Sequence, residues 1–203
     1  MVNHIKLVLA ASTAALTAIS AQIRFNLGPI PYTMQNFGVI FSGFLLGPIY
    51  GALSQVLYLA LIAVGLPLAS GFEGGLGVLF GPTAGYLWTF PVASFLAGIV
   101  RKAFWREGNR IELFLMWLGS CVSFIPVYLA GFYVFYIFAT GGSLGEWCLS
   151  VAKAFGLSLD PFWSVFFSSV LIFIPQDFFV DHVLAVLAFR YTAELIRERG
   201  LRL

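Results

Sequence analysis

Long apolar runs, broken by charge at only a few points, leave this chain little choice of solvent. Six stretches, residues 5–23, 33–46, 49–66, 82–100, 111–138 and about 175–188, are apolar enough to lie in a bilayer, some of them short. A hydrocarbon core of about 30 Å takes about 20 residues of α-helix to cross. Only helices or a closed barrel satisfy backbone hydrogen bonds in lipid, and no alternation of the barrel kind is visible. Hydrophobic residues make up 60% of the chain and charged residues 10%, against about 45–50% and about 25% in an ordinary soluble domain. That balance excludes a soluble enzyme, a secreted disulfide domain and a disordered tail. The expected fold is an all-α membrane protein, a single transmembrane domain of six helices over residues 1–203.

The cations orient the spans, because Lys and Arg stay on the cytoplasmic side. Lys6 opens the first span, and Arg101, Lys102, Arg106 and Arg110 fill the link between the fourth and fifth, residues 101–110. Arg190, Arg197, Arg199 and Arg202 follow the last span. If six helices alternate, those nine of the eleven Lys and Arg share one side, and only Arg24 and Lys153 fall on the other. Both termini are therefore expected in the cytoplasm, in a multi-pass protein of the cell membrane. Ala18-Ile19-Ser20 resembles a signal-peptide cleavage site, but its basic region is weak and cleavage would break the charge pattern. A net charge of +2 gives no reason to expect nucleic acid. Cys121 and Cys148 lie in regions of different character and suggest neither a disulfide framework nor a ligand pair. Ala10, Ala14 and Ala18 share one helix face and permit close approach of another helix. That stripe fits packing against a neighbouring span and docking of a partner protein equally well.

The outer links carry the chemistry. The first holds Gly28-Pro29-Ile30-Pro31-Tyr32, with Gln35 one turn into the next span. The second, residues 65–85, is rich in glycine around Glu73 and ends in Gly81-Pro82-Thr83 before a helix. Glycine there allows close approach of backbone amides to a ligand, but no GK[ST] sequence follows to make a phosphate loop. The third link is read as a long outer loop over about 140–174, with two apolar stretches broken by Asp160-Pro161. Pro175-Gln176-Asp177 then opens the last span, with Asp181-His182 after it. A carboxylate at membrane depth is costly and marks function, with helix capping the structural alternative for Asp177. Glu73 reads equally as a ligand group or a solvated loop charge. Gln35 on an apolar face needs a buried partner or a ligand. His182 reads as a packed, hydrogen-bonded residue, since a metal site needs more partners than these.

In combination the motifs Ile30-Pro31-Tyr32-Thr33-Met34-Gln35, Leu46-Gly47-Pro48-Ile49-Tyr50-Gly51, Val64-Gly65-Leu66-Pro67 and Gly74-Gly75-Leu76-Gly77-Val78-Leu79-Phe80-Gly81-Pro82-Thr83-Ala84-Gly85-Tyr86-Leu87 are distinctive. They resemble the BioY family, the biotin-binding S-components of energy-coupling factor (ECF) transporters, over about residues 5–190. The resemblance implies a six-helix bundle that binds biotin from outside with high affinity. It also implies docking on a transmembrane coupling subunit and two ATPase subunits, which would hydrolyse ATP for a chain that is not itself an enzyme and carries no cofactor. The ligand-binding residues expected on this basis are Tyr32, Gln35, Glu73, Gly74, Gly75, Gly77, Pro82, Thr83, Tyr86, Gln176 and Asp177. The docking face would be Ala10, Ala14 and Ala18. One departure matters: the family's Pro-Gly-Asp-x-x-Lys reads Pro175-Gln176-Asp177-Phe178-Phe179-Val180 here, so the aspartate matches and the lysine does not. His182, Lys153 or Arg24 is the candidate substitute cation, with the backbone amides of the glycine loop as the alternative.

Two other readings compete. One is an S-component for a biotin precursor or another vitamin. The other is a solitary proton-coupled transporter using Asp177, Asp181 and His182 as a relay, although no repeated halves are visible. An intramembrane enzyme lacks a nucleophile motif and a converging pair of carboxylates.

Overall fold

The computed structural model of the protein describes residues 2–26, 30–140 and 142–199, so Gly28, Pro29 and Arg202 lie outside the described residues. Among the described residues, four helices are long and apolar enough to cross a membrane: His4–Gln22, Gln35–Ala63, Arg110–Ala139 and Pro161–Glu198. Helix α1 (Val2–Gln22) is followed by a two-stranded antiparallel hairpin, β1 (Arg24–Asn26) and β2 (Pro31–Thr33), and then by α2 (Gln35–Ala63).

Helix α2 is not one rod. Gly47 takes φ +77° and ψ −177°, a conformation essentially restricted to glycine, and Pro48 cannot donate to the turn before it. The chain doubles back there. Tyr58 donates to Gln35 Oε1 at 3.3 Å and Gln55 donates to Ser42 Oγ at 3.0 Å. A straight helix would hold Ser42 and Gln55 about 20 Å apart. The two halves, 35–46 and 48–63, thus lie side by side, and the break falls where the sequence separates its second and third apolar stretches. Gly43 and Gly51 face each other so closely that a Cβ on Gly51 would lie 2.8 Å from the Gly43 Cα.

Shorter helices follow. Two short helices, α3 (Leu76–Leu79) and α4 (Ala84–Trp88), lead into α5 (Phe90–Phe104), which packs with α1 on α2. Next come α6 (Arg110–Ser123) and α7 (Ile125–Ala139), bent at Phe124 where Pro126 enters the first turn of α7. The basic link before α6 is tied by Glu112, whose Oε2 accepts amide hydrogens from Arg106, Glu107 and Gly108, while Asn109 caps the helix from the Glu112 amide. These satisfy donors that a helix start leaves open.

The stretch expected as a long outer loop is mostly helical. Helix α8 (Ser143–Ala154) fills its first half. Asp160 then accepts the Trp163 amide hydrogen at 2.9 Å, and Pro161 occupies the first position of α9 (Pro161–Phe166). Asp-Pro here starts a helix rather than merely interrupting one, because the proline has no amide hydrogen to leave unsatisfied and the aspartate caps the next free donor. From α9 the chain stays helical through a π-helical turn (Phe167–Leu171), α10 (Ile174–Gln176), a second π-helical turn (Asp177–Asp181) and α11 (His182–Glu198).

Helix α1 uses its small residues inside the chain. Ala10, Ala14 and Ala18 are 4%, 2% and 6% exposed. They lie on the face where Thr13 bonds Ser54 at 2.9 Å and Gln55 bonds Thr17 at 3.2 Å. The expected docking stripe is therefore corrected: small side chains let α1 and α2 approach, and that contact covers the stripe. The outward face of α1 instead presents Val8, Ala11, Ser12, Ala15 and Ile19.

Cations collect at one end of the bundle. Lys6 stands over the Tyr50 ring, Arg101 over the Phe189 ring, and Arg101 and Lys102 reach toward Gly47. Helices α1, α5 and α11 and each half of α2 connect that end to the opposite one, where Arg24, Gln35, Phe90 and Asp177 surround a cavity.

Candidate functional site

The cavity measures about 700 Å³, within the usual range of about 300–1,000 Å³ for small-molecule sites. Its walls come from the β-hairpin, the start of α2, the glycine loop, α4, α7 and the two π-helical turns. Each piece is held by a specific tie.

The hairpin pairs Arg24 with Thr33 and Phe25 with Tyr32. Strand alternation puts the two pairs on opposite faces. Arg24 and Thr33 line the cavity, whereas Tyr32 stacks between Phe25 and Phe173 at centroid distances of 4.7 and 4.2 Å. The Tyr32 hydroxyl donates to the Ile172 carbonyl at 2.9 Å. Burial, with the charge of Asp177 as a smaller contribution, pushes this phenol up to about 12, so it remains a neutral donor. Gln176 donates to the Thr33 carbonyl at 3.0 Å. Tyr32 and Gln176, both expected to touch ligand, instead fasten the hairpin to the last helix.

The glycine loop is pinned from beneath by Gln22. Its amide nitrogen donates to the Ala69 carbonyl at 2.9 Å, and its oxygen accepts the Phe72 amide hydrogen at 3.0 Å. Glu73, Gly74, Gly77, Pro82 and Thr83 line the cavity. Gly75 does not, because at φ +90° it forms the entry to α3. The Ser70 hydroxyl lines the cavity and finds no hydrogen-bond partner among the described residues.

The π-helical turns position the deep wall. A π turn widens the helix and leaves carbonyls outside the regular ladder, and side chains of other helices take them up. Tyr86, a cavity residue on α4, donates to the Ser169 carbonyl, and Trp117 on α6 donates to the Phe178 carbonyl at 2.7 Å. The second turn presents Asp177 to the cavity with 4% of its surface exposed. Its Oδ2 accepts from the Tyr128 hydroxyl, and the Asn36 side chain lies within hydrogen-bonding reach. The sequence reading put Asp177 in the first turn of a helix. The structure puts it sixteen positions beyond Pro161 in a helix that is already running. Side-chain donors and the cavity, rather than a helix N-terminus, surround this carboxylate.

The candidate substitutes for the missing lysine separate clearly. His182 is fully buried away from the cavity, with Nδ1 3.1 Å from Ser120 Oγ and its ring against Phe124 and Phe178. Lys153 is exposed on α8. Val180, where the resemblance leads one to look for the cation, is 43% exposed and does not line the cavity. Arg24 does line it. Among the described residues no three His, Cys, Asp or Glu side chains gather as metal ligands would.

Sequence reasoning missed Asn36, Ser70, Tyr128 and Ser169 as lining residues. Asn36 beside Gln35 was the one legible signal, an amide on an otherwise apolar helix. Tyr128 and Ser169 lie in apolar runs where a hydroxyl is ordinary. Together the lining offers one buried carboxylate, one guanidinium, several neutral hydrogen-bonding groups and apolar walls from Val78, Leu87, Phe90, Val127 and Phe173. That set suits a small amphiphilic molecule with N–H donors, held without covalent chemistry.

The sequence profile of the BioY family matches residues 1–198. The probable biotin transporter BioY of Bacillus subtilis is 32% identical over 90% of this chain and 89% of its own length. The biotin transporter BioY of Thermotoga maritima is 37% identical over 65% of this chain and 76% of its own. The probable biotin transporter BioY of Pyrococcus horikoshii is 40% identical over 61% and 80%. Among solved structures, the S-component for biotin from an ECF-type ABC transporter superposes with a TM-score of 0.68 at 25% identity, covering 95% of this chain and 92% of that one.

Proposed function

Because this chain belongs to the BioY family, we propose that it is the membrane-embedded binding subunit for uptake of biotin. The observation that carries the reading is Asp177, a carboxylate held by Tyr128 in a cavity of about 700 Å³ at membrane depth. An ionised group is costly there and marks a functional site. The two N–H groups of biotin's ureido ring are the donors that such an acceptor suits, and the apolar walls suit its thiophane ring and alkyl chain. Thr33, Gln35, Ser70 and Thr83 provide further hydrogen-bonding groups around the same cavity.

The topology that accompanies this reading has six spans, with α2 supplying two of them and both termini cytoplasmic. The clustering of Lys6, Arg101 and Lys102 at one end of the bundle supports it. The cavity then opens outward, and the protein resides in the cytoplasmic membrane as one domain. It binds and does no chemistry of its own. Coupling to ATP hydrolysis falls to a transmembrane subunit and two ATPase subunits of an ECF module; the likeness to an S-component from an ECF-type ABC transporter supports this. Titration of the purified protein with biotin tests the reading. Affinity on the order of nanomolar, about −12 kcal/mol, is expected, and absence of heat overturns it. Copurification with coupling and ATPase subunits tests the partnership.

A further inference from the structure

We propose that Arg24 is the anion-recognition residue of the cavity, holding the carboxylate of biotin's valeryl chain at the open side; this rests on the biotin reading above. The cavity lining contains three ionisable carboxylate or guanidinium side chains, Arg24, Glu73 and Asp177. Biotin brings N–H donors at one end and an anion at the other. Turned with its carboxylate toward Asp177, it would set two like charges together where little water screens them. Turned the other way, its carboxylate meets the one cation in the lining.

The geometry supports that assignment independently of charge counting. Arg24 is exposed while Asp177 is buried, so the two stand at the outer and inner limits of the same cavity. The guanidinium lies against the backbone of Gly71, where a Cβ would come within 2.6 Å of Nη1. It therefore reaches from the hairpin to the glycine loop. Among the described residues Arg24 makes no ion pair; the only one found joins Arg190 to Glu194 at the far end of the chain. Its strand is held by the stacked Phe25 and Tyr32 and by the bond from Tyr32 to Ile172. A planar guanidinium on a fixed strand can engage a carboxylate through two parallel hydrogen bonds. This also accounts for a BioY-family chain with valine at position 180, since the cation enters from the hairpin instead of the last helix.

The test pairs a change in the ligand with a change in the protein. Wild type and Arg24→Gln are titrated with biotin and with biotin methyl ester, which keeps the ureido ring and removes the anion. Wild type should bind the acid about tenfold or more tightly than the ester, the scale of one charge-assisted hydrogen-bonded pair. Arg24→Gln should bind both equally, at the affinity of wild type for the ester, and Arg24→Lys should keep part of the preference. Equal binding of acid and ester by wild type overturns the proposal, as does an acid-to-ester ratio unchanged in Arg24→Gln. A variant weakened equally toward both ligands shows a structural role and also overturns it. If wild type binds neither compound, the biotin reading itself fails and this assignment falls with it.

Discussion

The Tyr128 hydroxyl donates its hydrogen bond to the Asp177 carboxylate, joining α7 to a π-helical turn of the last helix across the inner wall of the cavity. A carboxylate in a bilayer needs such donors, because desolvation without compensation costs several kcal/mol. The proposed function makes Asp177 a recognition residue as well as a structural one, and substitutions at the two partners should part those roles.

Asp177→Ala should weaken biotin binding about 100-fold, and Tyr128→Phe about tenfold, the range for hydrogen bonds to charged groups. Calorimetric titration of the two variants checks this. Losses in the two variants that differ by less than threefold would count against the carboxylate as the principal acceptor.

His182→Ala and Lys153→Ala should leave biotin affinity within about twofold of wild type, since neither side chain reaches the cavity. His182→Ala should nevertheless lower the thermal midpoint in detergent. It empties a fully buried site packed on Phe124 and Phe178 and strips Ser120 of a partner, a loss of about 2 kcal/mol or more. A binding defect with no change in midpoint would place the histidine in recognition after all.

Gly47→Ala should destabilise the protein by about 1–3 kcal/mol, the cost of a side chain in a glycine-only backbone region. The measurement is thermal unfolding in detergent. A midpoint equal to that of wild type would mean the chain does not reverse at Gly47, and α2 would have to be redrawn as one long helix.

Topology is open to cysteine labelling, since the native Cys121 and Cys148 are buried. Glu107→Cys should react with a membrane-impermeant maleimide only after the cells are opened. Lys153→Cys should react in intact cells. The reverse pattern would invert the orientation and with it the direction in which the cavity opens.

Several features were legible because they follow from the solvent alone. Apolar runs long enough for a bilayer demanded helices, and the Gly47-Pro48 pair marked a break because glycine and proline act on their own backbone. Asp177 stood out because an acid in such a run is costly wherever its partners lie. The Gly74 to Tyr86 segment carried enough family pattern to single out Gly74, Gly77, Pro82, Thr83 and Tyr86, all of which line the cavity.

What only the tertiary structure decided depends on which helix faces which. Whether Ala10, Ala14 and Ala18 meet a partner or α2 is a matter of rotation about the α1 axis, and a small-residue stripe looks the same in either case. The π-helical turns leave no pattern in sequence; they persist because Tyr86 and Trp117, distant in the chain, accept the burden of the displaced carbonyls. Arg24 was one of three candidate cations in the sequence, and only the hairpin pairing with Thr33, which puts it in the cavity lining, set it apart from His182 and Lys153. Sequence thus determined the solvent, the helical class and the costly acid, each a local property of residue chemistry. The cavity and the convergence of Arg24, Glu73 and Asp177 on it required long-range contacts, because a site between helices exists only once their rotations and crossings are fixed.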